Sequence, residues 1–328
     1  MPVPAVSVTM SVYNGERFLD CAIASVRAQT FTDFEFLILD DGSRDASLAI
    51  ARRHADEDPR IRVIARENRG LIASLNQLLD EARAPLVARM DADDVCAPER
   101  FARQVAFLAA NPDYGVIGCG SEDMDEDGTL LGCAMEFPRT HEDMLVAIAE
   151  NRQLMCHPAA MFRADVVRAV GGYHAAFRHC EDLDLWMRLA AVTRLGNLPD
   201  RLLRYRRSPG QVSSTHTTEQ QIGAAVAWLG YHERQAGRPD PTEHLDRLPP
   251  LDQLDALFGR PGVTDEVRAR AVNGIRYSPA SMRDEGFALV VDHVRGGGRR
   301  DGMWRTVARL VRFGEVGRAV RLAAELAR

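Results

Sequence analysis

The chain has 328 residues, 46% hydrophobic and 27% charged, which suits a globular protein of two structural units or one large domain with an appendage. Its formal charge is −6 and all 41 basic residues are arginine, a balance that argues against a general nucleic-acid binder. Six scattered cysteines (Cys21, Cys96, Cys119, Cys133, Cys156, Cys180) form no C-x-x-C pair, and no apolar run is long enough to span a membrane, so zinc ribbons, disulfide frameworks and transmembrane helices are disfavoured.

Met1-Pro2-Val3-Pro4 enters a strand without a basic or apolar leader, and the chain is expected to be cytoplasmic. Val6 to Val12 alternates apolar and small residues and breaks at Asn14-Gly15, a strand followed by a loop. Phe18, Leu19, Ala22, Ile23 and Val26 then recur at helical spacing. Phe34 to Leu39 reads as a second strand and ends in Asp40-Asp41-Gly42-Ser43. A helix through Leu48 and Ile50 precedes a strand at Ile61 to Ile64. The next helix carries Leu71, Leu75, Leu78 and Leu79 on one face. Leu86 to Met90 is a fourth strand running straight into Asp91-Ala92-Asp93-Asp94, and a helix from Pro98 to Ala110 closes the series.

This alternation predicts an α/β fold with a Rossmann-like, mostly parallel central sheet flanked by helices. Such sheets bind ligands outside the carboxyl ends of their strands. Tyr13-Asn14, Asp40-Asp41 and Asp91 to Asp93 all fall at such ends. No G-x-G-x-x-G follows the first strand and there is no P-loop lysine, which disfavours dinucleotide and P-loop folds. Asp91 and Asp93 are two apart, so on an extended segment both leave the same side. Paired carboxylates repel unless a cation lies near them. Hard oxygen donors suit Mn²⁺ or Mg²⁺, whose shell substrate phosphates complete. The competing reading is an acidic loop ahead of a helix announced by Pro98 and Glu99.

From Gly115 the pattern becomes hairpin-like, with a turn at Asp125 to Gly128. His157-Pro158 leads into apolar residues, and His157 either lines a cleft or caps a buried strand. Glu181-Asp182-Leu183-Asp184-Leu185-Trp186 opens a helix. Acids in a first turn answer the helix dipole, yet Asp182 shares a face with Leu185, Trp186 and Leu189, which places it towards a cleft. Beyond His216 the chain reads as helical, with Arg238 to Pro250 linker-like and Gly296-Gly297-Gly298 setting off a final segment. Residues 1–215 and 216–328 are therefore expected to be the α/β domain and a mostly helical C-terminal region.

Five stretches in this order resemble family 2 inverting glycosyltransferases of GT-A fold: VSVTMSVYNGERFLDCAIASVRAQTFTDFEFLILDDGSRD, ENRGLIASLNQLL, LVARMDADDVCAPERFARQ, CHPAAMFRADVVRAVGGYHAAFRHCEDLDLWMRLA and YRRSPGQVSS. The resemblance covers roughly residues 5–214. It implies a nucleotide-diphosphate sugar donor and a divalent cation, Mn²⁺ or Mg²⁺. It implies that Ser11 and Tyr13 line the nucleotide, that Asp41 accepts from a base N–H and that Asp91 lies by the ribose and diphosphate. It further implies Asp93 as the metal ligand and Asp182 as the general base, with Glu181, His157 and Trp186 on the acceptor side. The acceptor it implies is a hydroxyl of a saccharide or lipid-linked saccharide in cell-envelope polysaccharide synthesis. Relatives often carry a histidine after the late Tyr-Arg pair; Tyr205-Arg206-Arg207-Ser208 has none, and His216 lies further on. Arg206 or Arg207 would serve a diphosphate there, or lie on the surface. The rival readings are a sugar nucleotidyltransferase and a catalytically inactive nucleotide-sugar-binding protein.

Residues 295–328 hold nine arginines against Asp301, Glu315 and Glu325, a local balance of +6. Trp304, Val307, Leu310 and Val311 recur at helical spacing, as do Val316, Ala319, Val320 and Ala323, with Gly314 and Gly317 expected to break the segment into two short helices. Two readings stand: apolar faces packing on the protein, or peripheral contact with the inner face of the plasma membrane.

Overall fold

The computed structural model describes residues 3–208 and 216–328; the last part of the YRRSPGQVSS stretch lies outside the described residues. The chain forms two compact units, Met1–His174 with Leu185–Ser208, and Ala175–Asp184 with Pro209–Arg328.

The first unit is built on strands β1 (Val6–Val12), β2 (Phe34–Asp40), β3 (Ile61–Ala65) and β4 (Leu86–Asp91), with helices α1 (Glu16–Arg27), α2 (Ser47–Glu57) and α3 (Leu71–Glu81) between them. These four strands are parallel in the order β3-β2-β1-β4. Their side chains are mostly apolar on both faces because helices cover the sheet on either side, as buried parallel strands require. Phe36, Ile38, Val8, Met10, Ala88 and Met90 form the core with Leu19, Ile23 and Val26 of α1 and Phe101 and Leu108 of α4 (Arg100–Ala110).

The second half of the sheet is mixed. Strands β5 (Val95–Cys96), β6 (Tyr114–Met124), β7 (Leu130–Met135), β8 (Met161–Arg163) and β9 (Arg194–Arg206) extend it in the order β4-β8-β6-β9-β5, with β7 paired to β6. β8 runs antiparallel to both neighbours, whereas β6 and β9 are parallel. The predicted hairpin is the β6–β7 connection: Asp125 accepts at its side chain from the backbone N–H groups of Asp127 and Thr129, and its own N–H donates to Thr129 O. Helix α5 (His141–Ala149) opens on a capping box made by Thr140 and Asp143. α6 (Ala164–Ala169) and α7 (Glu181–Leu189) follow.

The second unit is helical, with α8 (Thr217–Gln235), α9 (Leu254–Leu257), α10 (Val263–Ile275), α11 (Pro279–Arg283), α12 (Glu285–Arg295), α13 (Met303–Arg312) and α14 (Val316–Leu326). Val272, Ile275, Met282, Phe287, Val290, Val291, Val294, Met303, Leu310, Ala319 and Leu322 make one core. The break between the last two helices falls at Gly314, which has φ +79°; Gly317, expected to be a second break, lies inside α14. The residues 238–250 form no helix or strand. Among the described residues no helix is long and apolar enough to cross a membrane.

Candidate functional site

Register brings the predicted nucleotide-side residues to one edge. Ser11 lies opposite Asp91 across the β1–β4 pair and opposite Leu39 across β1–β2, and Val12 lies opposite Asp40. The loop after β1 is then tied to the loop after β2: Asn14 N–H donates to Ser43 Oγ (2.9 Å), Gly15 N–H to Ser47 Oγ (2.8 Å) and Arg44 N–H to Asn14 Oδ1 (2.8 Å). This lacing leaves the Tyr13 ring about half exposed at the rim.

Asp41 is buried at the next position. Its Oδ1 takes the Arg66 guanidinium (2.9 Å) and Arg69 N–H (3.0 Å), and its Oδ2 takes Gly70 N–H (2.8 Å). A carboxylate has about four acceptor sites, so Asp41 ties down the loop after β3 and keeps capacity for a further donor. Gly42 permits this turn. Its φ is +79°, and a Cβ there would stand 2.8 Å from Asn68 N. Arg66 was not singled out in the sequence; its signal was its place immediately after the third strand.

Asp91, Asp93 and Asp94 follow at the end of β4, each offering a carboxylate oxygen within 4.8 Å of the others. Arg89 forms an ion pair with Asp91. Asp94 is buried; its Oδ1 accepts from Arg206 N–H (2.9 Å), and its Oδ2 has no hydrogen-bond partner among the described residues. Burial, then the charges of Asp93 and Asp91, push its carboxyl well above the usual range. Three acids so close, with an orphaned buried oxygen, fit a hard divalent cation held by oxygen donors. Beneath the strand, fully buried Arg100 donates from Nη2 to Arg89 O (2.8 Å) and Ala160 O (3.2 Å), fixing the backbone ahead of the acids. The Tyr205 phenol is pushed up by burial and by Asp91 and Asp94.

Arg206 is not a surface arginine. It is buried, donating to Asp93 O (2.7 Å), Asp125 O (3.0 Å) and Glu126 O (2.9 Å), with its guanidinium 4.3 Å from the Phe18 ring centroid. Arg207 pairs with Asp123 at 2.9 Å.

His157 lies in a short 3₁₀ turn (His157–Ala159) before β8, with its Nε2 hydrogen-bonded to the Tyr173 hydroxyl at 2.9 Å and its ring edge-on to Trp186 at 6.0 Å. Burial, then Arg89, lower the imidazole well below its ordinary 6.5, so it is neutral near pH 7. Trp186 is buried on α7, and Arg188 of that helix donates to Val170 O (2.7 Å) and Gly172 O (2.8 Å). In the first turn of α7, Glu181 and Asp184 are buried and Asp182 is partly exposed, its Oδ1 accepting from Leu183 N–H.

A parallel-then-mixed sheet with acids gathered at the carboxyl edge of its parallel strands defines a GT-A glycosyltransferase fold. The chain belongs to glycosyl transferase family 2, whose model matches residues 7–171. It is 36% identical to the putative glycosyltransferase EpsE of Bacillus subtilis over 208 residues, which cover 62% of this chain and 73% of that protein. It is 31% identical to the O-antigen biosynthesis glycosyltransferase WbnJ of Escherichia coli over 205 residues, 61% of this chain and 79% of that one. Among solved structures, the mannosyltransferase PcManGT from Pyrobaculum calidifontis in complex with GDP-Man and Mn²⁺ superposes with TM-score 0.55 at 17% identity, covering 100% of this chain and 88% of that chain. S. aureus TarS 1-349 in complex with UDP-GlcNAc gives TM-score 0.56 at 15% identity, covering 97% and 90%. At such identities the likeness is one of fold.

Proposed function

We propose that this glycosyltransferase is metal-dependent and inverting, moving a sugar from a nucleotide-diphosphate donor to a hydroxyl of a saccharide or lipid-linked saccharide in cell-envelope polysaccharide synthesis. The observation that carries the reading is the Asp91, Asp93, Asp94 cluster at the edge where Ser11 and Tyr13 also emerge. Mn²⁺ in the PcManGT complex and the polysaccharide role in the name of WbnJ support it.

In this reading Tyr13 packs against the nucleotide base, Ser11 lines it and Asp41 accepts from a base N–H. Asp93, with Asp91 beside the ribose and diphosphate, holds the cation. When bound, that cation acts as a Lewis acid that neutralises charge on the departing nucleoside diphosphate. Asp182 takes the proton of the acceptor hydroxyl as its oxygen bonds to the anomeric carbon and the bond to the diphosphate breaks. A single displacement of this kind inverts the anomeric centre. Glu181, His157 and Trp186 shape the acceptor side. The setting that goes with a lipid-linked acceptor is the cytoplasmic face of the plasma membrane.

Thermal-shift titration with UDP-, GDP-, dTDP- and CMP-sugars, with Mn²⁺ and then with EDTA, tests the reading. One donor class is expected to raise the melting temperature only when the metal is present. No shift with any donor under either condition would overturn it.

A further inference from the structure

α13 and α14 are each buried on one side only. Met303, Thr306 and Leu310 of α13 and Ala319, Leu322 and Leu326 of α14 are buried, their apolar members in the core shared with Val290, Val291 and Val294 of α12. The other sides remain apolar where solvent would select polar residues. Trp304, Val311, Val316 and Val320 are each more than half exposed, with Ala308 and Ala324 exposed between or beyond them. Trp304, Ala308 and Val311 are spaced i, i+4, i+7 and Val316, Val320 and Ala324 i, i+4, i+8, so each helix carries an outward apolar stripe.

The charges around these stripes are mainly basic. Arg305 and Arg312 flank Trp304 and Val311, and Arg321 follows Val320; all three are exposed. α13 contains no acidic residue. The single acid of α14, Glu325, is buried and engaged by Arg295 (2.5 Å) and Arg328 (3.2 Å). Glu315, between the helices, is held by Arg283 and Arg318. Exposed carboxylates remain nearby, Asp301 just before α13 and Asp284 beside Val316 and Arg321, so the rim is basic by excess.

We infer that the outer faces of α13 and α14 dock on an anionic lipid surface, the apolar stripes entering the headgroup boundary and Arg305, Arg312 and Arg321 meeting lipid phosphates. Exposed apolar residues beside a predominantly basic rim are what a peripheral helix presents to a bilayer, and a tryptophan suits its interface. A second copy of the same face would set arginine against arginine, which favours lipid as the occupant. The inference deepens the membrane setting of the proposed function but does not depend on the donor chemistry.

The test is co-sedimentation of the full chain with phosphatidylcholine vesicles, with and without phosphatidylglycerol, at low and high salt. The chain is expected to associate with the anionic vesicles alone and to leave them at high salt. Arg305→Ala with Arg312→Ala should weaken association roughly five-fold for each arginine removed, and Trp304→Ser with Val320→Ser should weaken it further, while circular-dichroism melting stays unchanged because all four sites are exposed. Negligible binding to anionic vesicles, or equal binding to both kinds, would overturn the inference. So would a dimer in sedimentation velocity that Trp304→Ser with Val320→Ser dissolves, since the face would then belong to a second copy. Donor-induced thermal shifts measured on the same variants should match wild type, so a failure of the donor reading and a failure of the lipid reading are told apart.

Discussion

Replacing Asp182 with asparagine keeps the shape of the side chain and removes its ability to take a proton. If Asp182 is the base, Asp182→Asn should bind donor like wild type and lose turnover by about 10²- to 10⁴-fold, the usual worth of general base catalysis. Near-wild-type kcat on the true acceptor would transfer the role to Glu181, its buried neighbour in the same helical turn. Asp93→Ala addresses the other end of the reaction. Calorimetry with Mn²⁺ present should show weaker donor binding, while the weak binding that remains in EDTA should be alike for both proteins; equal affinity with metal would remove Asp93 from the ligand set. Gly42 tests the scaffold instead. Alanine there must hold a φ of +79° and push its Cβ against Asn68 N, so Gly42→Ala should lower the melting temperature, with a cost on the order of 1 kcal/mol or more, and loosen the Asp41 loop.

At the scale of elements, Arg206 joins three pieces distant in sequence: the acidic loop after β4 through Asp93 O, the β6–β7 turn through Asp125 O and Glu126 O, and α1 through Phe18. Arg206→Met would strand these buried carbonyls, and is expected to cost at least about 2 kcal/mol in urea unfolding and to weaken metal-dependent donor binding. Arg206→Lys should recover little, because one ammonium cannot reproduce the spread of the guanidinium fork. An unfolding midpoint and donor affinity like wild type would show that the clamp is idle. This role was not legible in the Tyr205-Arg206-Arg207 motif, because burial of Arg206 follows from β9 pairing with β6 and β5, residues far away in sequence. Periodicity did reveal β1 to β4, α1 to α4, the hairpin turn and the start of α7, where local pattern and tertiary role agree, but not β5, which is only two residues long. It missed β8, three residues long, and β9, where arginines punctuate the strand and alternation is broken by bulges against β6. Asp41 was visible as an acid at a strand end, but not as the anchor of the loop after β3, since its partners are the Arg66 guanidinium and two backbone N–H groups, which no motif records.

For the molecule as a whole, polar groups at opposite ends of the sheet do different work, which gives a pH test. At the amino ends of β1 and β2, away from the acidic edge, buried Glu35 accepts from Ser7 Oγ (2.6 Å), Arg83 N–H (2.9 Å) and the Arg83 guanidinium (2.8 Å to Nε). Burial alone would raise its carboxyl, but the hydrogen bonds from Arg83 and Ser7 outweigh it and hold the group below its ordinary 4.5. A carboxylate with a depressed folded value stabilises the fold above the unfolded value, and that contribution is lost as pH falls through the folded one. Melting curves of wild type and Glu35→Gln should therefore differ most near neutral pH, with wild type the more stable. The gap should close as pH is lowered below 4.5 and the carboxyl protonates. A gap of constant size across that range would mean that Glu35 acts through shape and neutral hydrogen bonds, not through its charge.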